Sequence, residues 1–149
     1  MKTSTSFMSL ALIVLTLAAC ASGSAAQGNG IQVTVLLYSG RPNPTFTLTA
    51  EQADHVRQLV AAAQPDSRGG SVLPSILGYN GLLVRGGDAG GQDLAVYDGR
   101  IEVQDREGKR VVSDGGALES FLLEAATESK ALDAEQLRAI QASRDKQKP

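Results

Sequence analysis

The first twenty residues constrain this chain more than any other stretch, because they decide which part of it can fold into a domain. A short positive start containing Lys2 precedes an uncharged apolar run at residues 7–17, and small residues then lead to Cys20. This order is typical of a secretory signal peptide. The run is shorter than the roughly 20 apolar residues that a transmembrane helix needs. We therefore predict that residues 1–19 are removed and that the folded domain follows them.

The residues at the predicted cleavage site, Leu17-Ala18-Ala19-Cys20, resemble the lipobox of bacterial lipoproteins. The resemblance implies that the Cys20 thiol receives a diacylglyceryl group and that cleavage exposes an amine for a further acyl chain. Two or more chains anchor a protein stably, whereas one binds marginally. A membrane-anchored lipoprotein of the bacterial cell envelope is therefore expected. Ala21 stands where lipoproteins that enteric bacteria retain at the inner membrane have an Asp. By that resemblance the outer membrane, on its periplasmic side, is favoured.

Two alternatives remain for this segment. An ordinary signal peptide, cut after Ala19 or Ala26, would leave Cys20 as an incidental thiol. An uncleaved segment would instead stay in the membrane. Cys20 is the only cysteine in the chain and stands at the end of the apolar run, which favours lipid attachment.

Removing 19 of the 149 residues leaves 130, enough for one domain with its own core. Loss of Lys2 reduces the 14 basic residues to 13, against 16 acidic ones, so the formal charge becomes −3. Nucleic-acid binding normally shows as clustered basic residues, and we expect no nucleic-acid partner. Because Cys20 has no second cysteine to pair with, stability must come from a core built mostly of Val, Leu, Ile and Ala.

The start of the domain is predicted from a change in pattern. Residues 20–30 contain the lipidated Cys and small polar residues without periodicity, which predicts a flexible tether. Residues 31–38 alternate between apolar and polar side chains, which predicts a strand with one buried face. Two prolines in the loop at residues 39–44 end this strand, and a short extended segment is expected at residues 45–48.

Three helices are predicted from start signals that precede apolar residues at helical spacing. The start signals are Thr49 with Gln52, then Asp114, and then Asp133 with Gln136. The apolar faces are Ala53, Val56, Leu59, Val60 and Ala63 in the first helix, Leu118, Phe121, Leu122, Ala125 and Ala126 in the second, and Ala134, Leu137 and Ile140 in the third. The first helix is expected to end near residues 64–65, where a proline stands.

Short strands are predicted between the first two helices. Their positions are residues 82–84, 93–97, 100–104 and 109–113. Asp98-Gly99 is a hairpin dipeptide, and Asn80-Gly81 is a further turn signal. We therefore predict a single α+β domain at residues 31–143, with a mostly antiparallel sheet of four to six strands and about three helices packed on one face. Residues 144–149 are expected to fray.

The loop at residues 39–44 is the most distinctive candidate for a binding site. It presents Arg41 and Asn43 between prolines, and a stiff loop loses little entropy on binding. The alternative is structural, with the prolines setting a bend and Arg41 bonding to carbonyls or a carboxylate within the domain.

This loop with Phe46, and the segment Leu-Gly-Tyr-Asn-Gly at residues 77–81, resemble a pattern of small uncharacterised secreted proteins. The resemblance brings no activity with it. With Tyr79 from the second segment, the candidate binding residues are Arg41, Asn43 and Tyr79.

The sequence contains no recognisable catalytic or metal-binding set. His55 lies near the border of the first helix's apolar face, and a general base would need a nucleophile and an orienting acid from elsewhere. One His and no free Cys disfavour zinc. Asp88, Asp93 and Asp98 offer oxygen ligands for calcium but lack the EF-hand spacing, and Asp is common in turns. We therefore expect neither a metal nor a cofactor.

Taken together, these patterns favour a small envelope lipoprotein whose domain binds or scaffolds something near the membrane, such as an envelope protein, and catalyses nothing. One rival is an envelope hydrolase that uses Asp and Glu pairs assembled by the fold; two carboxylates in one cleft, one of them with a raised pKa, would favour it. A second rival is a carrier of small ligands, which would have a closed apolar pocket beneath the sheet.

Overall fold

The computed structural model describes residues 30–86 and 91–146. In these residues the chain forms an α+β domain with one seven-stranded antiparallel sheet and three helices. The strands are β1 (Gln32–Val35), β2 (Thr45–Thr47), β3 (Gln64–Pro65), β4 (Leu82–Arg85), β5 (Asp93–Tyr97), β6 (Arg100–Asp105) and β7 (Gly108–Ser113). The helices are α1 (Ala50–Ala62), α2 (Ala117–Glu128) and α3 (Ala134–Asp145). Across the sheet the order is β2-β1-β4-β5-β6-β7-β3. The predicted signal peptide, Cys20 and Asp88 lie outside the described residues.

Alternating side chains form two apolar rows on one face of the sheet. The strand register aligns one row as Phe46, Val33, Val84, Leu94 and Val103. It aligns the other as Val35, Leu82, Val96, Ile101 and Val112. Every member of the two rows is at most 8% exposed. Because successive side chains of a strand point to opposite faces, a slip of one residue would expose a whole row, so this pattern fixes the register.

The helix starts agree with the predicted signals. The Thr49 hydroxyl accepts a hydrogen bond from the Gln52 N–H at 3.2 Å, and the Gln52 side chain accepts one from the Thr49 N–H at 3.0 Å. Asp133 and Gln136 form the same reciprocal capping box at the start of α3. The Asp114 carboxylate accepts two backbone N–H groups at the start of α2. These bonds satisfy amide groups that a helix end leaves unpaired.

All three helices pack on the face that carries the apolar rows. Val56 of α1, Leu122 of α2 and Ile140 of α3 are at most 2% exposed and belong to the same core cluster as the strand residues. The predicted placement of the helices on one face is therefore confirmed. Full burial of such side chains contributes about 1.5–3 kcal/mol each. None of the helices in residues 30–86 and 91–146 is both long and apolar enough to span a bilayer.

The hairpin between β5 and β6 also confirms its predicted turn. Asp98 and Gly99 have φ angles of 48° and 68°, the left-handed conformation that the Asp-Gly dipeptide favours. A Cβ atom on Gly99 would lie 2.9 Å from the Gly116 backbone nitrogen. Glycine is therefore required here for space as well as for conformation.

The seventh strand, β3, is absent from the predicted elements. Its two residues pair with Val112 and Ser113 of β7, at the point where the sequence pattern predicts the end of the first helix. The chain leaves α1 in an extended conformation at Ala63, and Pro65 cannot continue a helix. A proline is tolerated at a sheet edge, where its missing N–H is not needed.

The two edges of the sheet are short. β2 has three residues and follows Pro44, and β3 has two. β7 extends past β3, and its unpaired part contains the exposed residues Lys109 and Arg110.

At the C-terminal end of the described residues, α3 continues to Asp145, so it extends into the segment predicted to fray.

Candidate functional site

The loop at residues 39–44 joins β1 to β2 and is closed by Asn43. The Asn43 amide oxygen accepts hydrogen bonds from the N–H groups of Leu37 and Tyr38 at 2.9 and 2.8 Å. The Val35 N–H donates to the Pro44 carbonyl at 2.9 Å. Asn43 is partly buried, and its amide oxygen is used inside the loop. The loop is therefore braced by its own side chain, as expected of Asn in a turn.

Arg41 lies at the surface of this loop, with its guanidinium carbon 3.6 Å from the centroid of the Tyr38 ring. A cation over an aromatic face is attracted by the ring quadrupole, which orients the Arg41 side chain. In the described part of the chain, the guanidinium forms no hydrogen bond and no ion pair. Arg41 is thus held by stacking, in contrast to the structural alternative in which it bonds to a carbonyl or carboxylate of the domain.

Gln136 joins the start of α3 to the same tyrosine. Its Nε2 donates a hydrogen bond to the Tyr38 hydroxyl at 2.8 Å, and its Oε1 accepts one from the Asp133 N–H at 2.9 Å. The residue that completes the capping box of α3 therefore also fixes the position of Tyr38. This contact links residues 98 positions apart in the chain.

An open groove of about 410 Å³ lies between this loop and α3. We call it the Tyr38–Gln136 groove. Leu37, Tyr38 and Arg41 line one wall, Asp133, Glu135 and Gln136 line the other, and Gly78 and Ala139 complete the lining. The volume falls in the lower part of the roughly 300–1,000 Å³ range of ligand sites. Of the three predicted binding residues, only Arg41 lines this groove.

Beside the groove, residues 76–80 form a tight turn, which we call the Leu77 turn. The Asn80 side chain accepts a hydrogen bond from the Ile76 N–H at 3.1 Å and donates to the carbonyls of Ile76 and Gly78 at 2.9 and 2.7 Å. Leu77 is 89% exposed at the tip, and Ile76 is 38% exposed. These are the exposed large hydrophobic residues of the described chain. The turn therefore displays an apolar side chain on a braced backbone.

Tyr79 anchors the Leu77 turn from below. It is fully buried, and its hydroxyl donates a 2.7 Å hydrogen bond to Oε1 of Glu119, which is also fully buried. Burial, followed by the negative charge of Glu119, raises the pKa of the Tyr79 hydroxyl far above its ordinary value. Glu119 Oε2 accepts no hydrogen bond from the described residues, and Arg144 Nη2 lies 3.9 Å from it. Tyr79 thus fastens the turn to α2 and does not reach solvent.

The burial of Glu119 is not among the predictions, although the sequence carries a signal for it. Glu119 precedes Leu122, Leu123 and Ala126 by three, four and seven positions, so it lies on the same helical face as these buried residues. A carboxylate on an apolar face needs a buried donor. Which residue supplies that donor depends on the fold.

The segment that leads to the Leu77 turn is braced at its start by Asp66. The Asp66 carboxylate accepts hydrogen bonds from Arg68 Nε at 3.0 Å and from Arg100 Nε at 2.8 Å. The Arg68 hydrogen bonds, supported by Arg100, hold the pKa of Asp66 well below its usual range. Arg100 also donates to the Arg68 carbonyl at 2.8 Å. Arg68 and Arg100 therefore shape this loop.

The other candidate residues lie apart from the groove lining. His55 is exposed on α1 and contacts the Phe121 ring edge-on, with 4.6 Å between ring centroids. Asp93 and Asp98 are exposed, at the start of β5 and in the hairpin turn. No group of three or more His, Cys, Asp or Glu side chains suited to a metal ion occurs within residues 30–86 and 91–146.

Comparison with known proteins gave no match, either to a family model or to a curated protein or a solved structure.

Proposed function

We propose that this chain is a membrane-anchored lipoprotein of the bacterial cell envelope whose domain is a non-catalytic binding module. The Tyr38–Gln136 groove and the Leu77 turn form its recognition surface, and an envelope protein is its partner. The lipid is attached at Cys20, and a tether holds the domain close to the outer membrane, on its periplasmic side.

The observation that carries the binding role is the Leu77 turn. An exposed Leu normally needs no explanation, but here the Asn80 side chain makes three hydrogen bonds that hold Leu77 outward. A pre-organised contact loses less conformational entropy when a partner binds. The adjacent groove adds a stacked cation, Arg41, and a fixed phenol, Tyr38.

The placement of the carboxylates supports a binding role over hydrolysis. The two carboxylates of the groove, Asp133 and Glu135, are exposed, whereas the fully buried Glu119 does not line the groove. Its Oε1 is used by Tyr79. The groove is open to solvent, which suits a protein segment better than a carried small molecule.

Photo-crosslinking in the living cell tests the recognition surface. A benzoylphenylalanine placed at Leu77 should give a discrete crosslinked protein, because the side chain is already outside the fold. The matched control carries the same group at Arg106, which is exposed in the β6–β7 turn. Identical adducts from both positions, or none from Leu77, would contradict the proposed surface.

Cell fractionation tests the anchor separately. Cys20→Ser removes the thiol that would carry the lipid, so the variant should move from the membrane fraction to the soluble envelope fraction. Cys20→Ser remaining equally membrane-bound would contradict the lipid anchor while leaving the recognition surface untouched.

A further inference from the structure

The two walls of the Tyr38–Gln136 groove carry opposite charges. Arg41 stands on the loop wall, whereas Asp133 and Glu135 stand on the α3 wall. A simple anion or a simple cation could pair with only one of the two walls. A ligand that carries both charges pairs with both, so electrostatic complementarity favours such a ligand.

Arg41 offers the site for the negative group. Its stacking on Tyr38 orients the guanidinium plane, and its N–H donors have no acceptor among the described residues. A guanidinium fork matches the two oxygens of a carboxylate and binds them bidentately. Tyr38 is itself fixed by the Gln136 side chain, so the cation is carried on a rigid support.

The α3 wall offers the site for the positive group. Asp133 Oδ1 accepts the N–H groups of Glu135 and Gln136, whereas its Oδ2 has no hydrogen-bond partner in the described chain. The Glu135 carboxylate is exposed and likewise forms no ion pair with a described residue. Both carboxylates can therefore accept an ammonium group from outside the domain.

The lining between the two walls is small and apolar. Leu37 is 7% exposed, and Gly78 and Ala139 contribute little side-chain volume. Gly78 has a φ of +98°, and a Cβ atom there would lie 3.3 Å from Ser143 Oγ. The absence of a side chain at residue 78 therefore lets the Leu77 turn lie close to α3 at Ser143.

We infer that the groove receives the C-terminal end of a protein chain, with its terminal carboxylate on Arg41 and a nearby lysine ammonium on Asp133 and Glu135. The apolar lining contacts the short stretch of peptide between the two charges. This inference rests on the proposed function, and it names the chemistry of the partner.

Calorimetric titration of the full chain, purified from bacterial membranes in mild detergent, tests this ligand chemistry. The probe is acetyl-Lys-Ala-Ala with a free C-terminal carboxylate. One matched probe has an amidated C-terminus, and the other has an acetylated lysine side chain. Amidation and acetylation each remove one charged group and the hydrogen bonds that it forms, so each should weaken binding about tenfold or more. Equal binding of the three probes would overturn the inference.

Variants of the groove assign each charge to its wall. Arg41→Gln should abolish the preference for the free carboxylate and keep the preference for the free lysine. Glu135→Gln should reduce the preference for the free lysine and keep the preference for the carboxylate. Arg106→Gln, outside the groove, should leave both preferences unchanged. No effect of Arg41→Gln would overturn the assignment, and a thermal melt of each variant identifies losses due to misfolding.

Two further outcomes separate the inference from the proposed function. If Leu77 crosslinks to a partner but no probe binds, the ligand chemistry is wrong and the recognition surface stands. If neither occurs, both are wrong. A probe in which both alanines are D-alanine tests whether the natural ligand is a protein, because protein chains contain L-alanine. Tighter binding of this probe than of acetyl-Lys-Ala-Ala would overturn a protein C-terminus as the ligand.

Discussion

Tyr38 and Tyr79 have the same side chain, and each is hydrogen-bonded to a residue of a distant helix, but they lie in opposite surroundings. Tyr79 is fully buried and donates to the buried carboxylate of Glu119. Tyr38 is partly exposed, accepts from the amide of Gln136 and carries Arg41 on its ring. A buried hydroxyl has no water to replace a lost partner, whereas an exposed one has. The difference predicts that Tyr79 matters mainly for stability, whereas Tyr38 matters mainly for the proposed recognition.

Alanine substitutions should separate the two tyrosines most strongly. Tyr79→Ala removes a fully buried aromatic ring and should lower the free energy of unfolding by about 3–5 kcal/mol. Tyr38→Ala removes one hydrogen bond, one cation–π contact and the packing of a half-buried ring, and should cost less, about 2 kcal/mol. Urea unfolding at neutral pH measures both. Equal losses of stability in the two variants would contradict the different roles assigned to the two tyrosines.

Removing only the hydroxyl sharpens the comparison and adds a pH dependence. Tyr79→Phe leaves Glu119 buried without its donor and should cost about 1–3 kcal/mol at neutral pH. Burial is the first cause that raises the Tyr79 pKa in the folded state. The stability that its protonated hydroxyl contributes is therefore present at pH values below about 10, the pKa of tyrosine in the unfolded chain. Above that pH the unfolded chain loses its proton first, and stability should fall by about 1.4 kcal/mol per pH unit.

The loss of stability at alkaline pH should be smaller in Tyr79→Phe than in the unsubstituted chain. Part of it should remain, because burial also raises the pKa of Tyr97. Tyr38→Phe is the matched control, since its hydroxyl is not buried against a carboxylate. Urea unfolding at several pH values above 9 measures the slopes. An unchanged slope in Tyr79→Phe would contradict the assigned role of the buried pair.

The smallest effect is expected for the brace of the Leu77 turn. Asn80→Ala removes three hydrogen bonds at the surface and should cost about 0.5–1.5 kcal/mol, because water replaces part of what is lost. Crosslinking from Leu77 should nevertheless fall markedly, since the tip is no longer held outward. Gln104→Ala is the control, because this side chain also bonds to backbone carbonyls, in the β6–β7 turn. It should leave crosslinking unchanged.

Local patterns were sufficient for most of the fold. The helix starts at Thr49 and Asp133 follow from capping chemistry within four residues, and the Asp98-Gly99 turn follows from its backbone preference. The two-residue strand β3 has no periodicity of its own, so no pattern could predict it. It forms because the chain passes beside β7 after α1 ends.

The groove was harder to predict because its contacts are long-range. Arg41 is recognisable from its proline-flanked loop, but the Gln136–Tyr38 contact joins residues 98 positions apart. The Tyr79–Glu119 bond joins residues 40 positions apart. Spacing indicates which side chains share a face, as it does for Glu119, but the packing of one element on another decides which faces meet.

The short edges of the sheet affect how copies of the chain behave when they are crowded. β2 follows Pro44, β3 contains Pro65, and the free part of β7 carries Lys109 and Arg110. Short length, proline and charge all oppose the addition of a strand from another molecule. If the chain is anchored at Cys20 as proposed, copies concentrated in two dimensions on a lipid surface should therefore stay dispersed and resist growth into fibres.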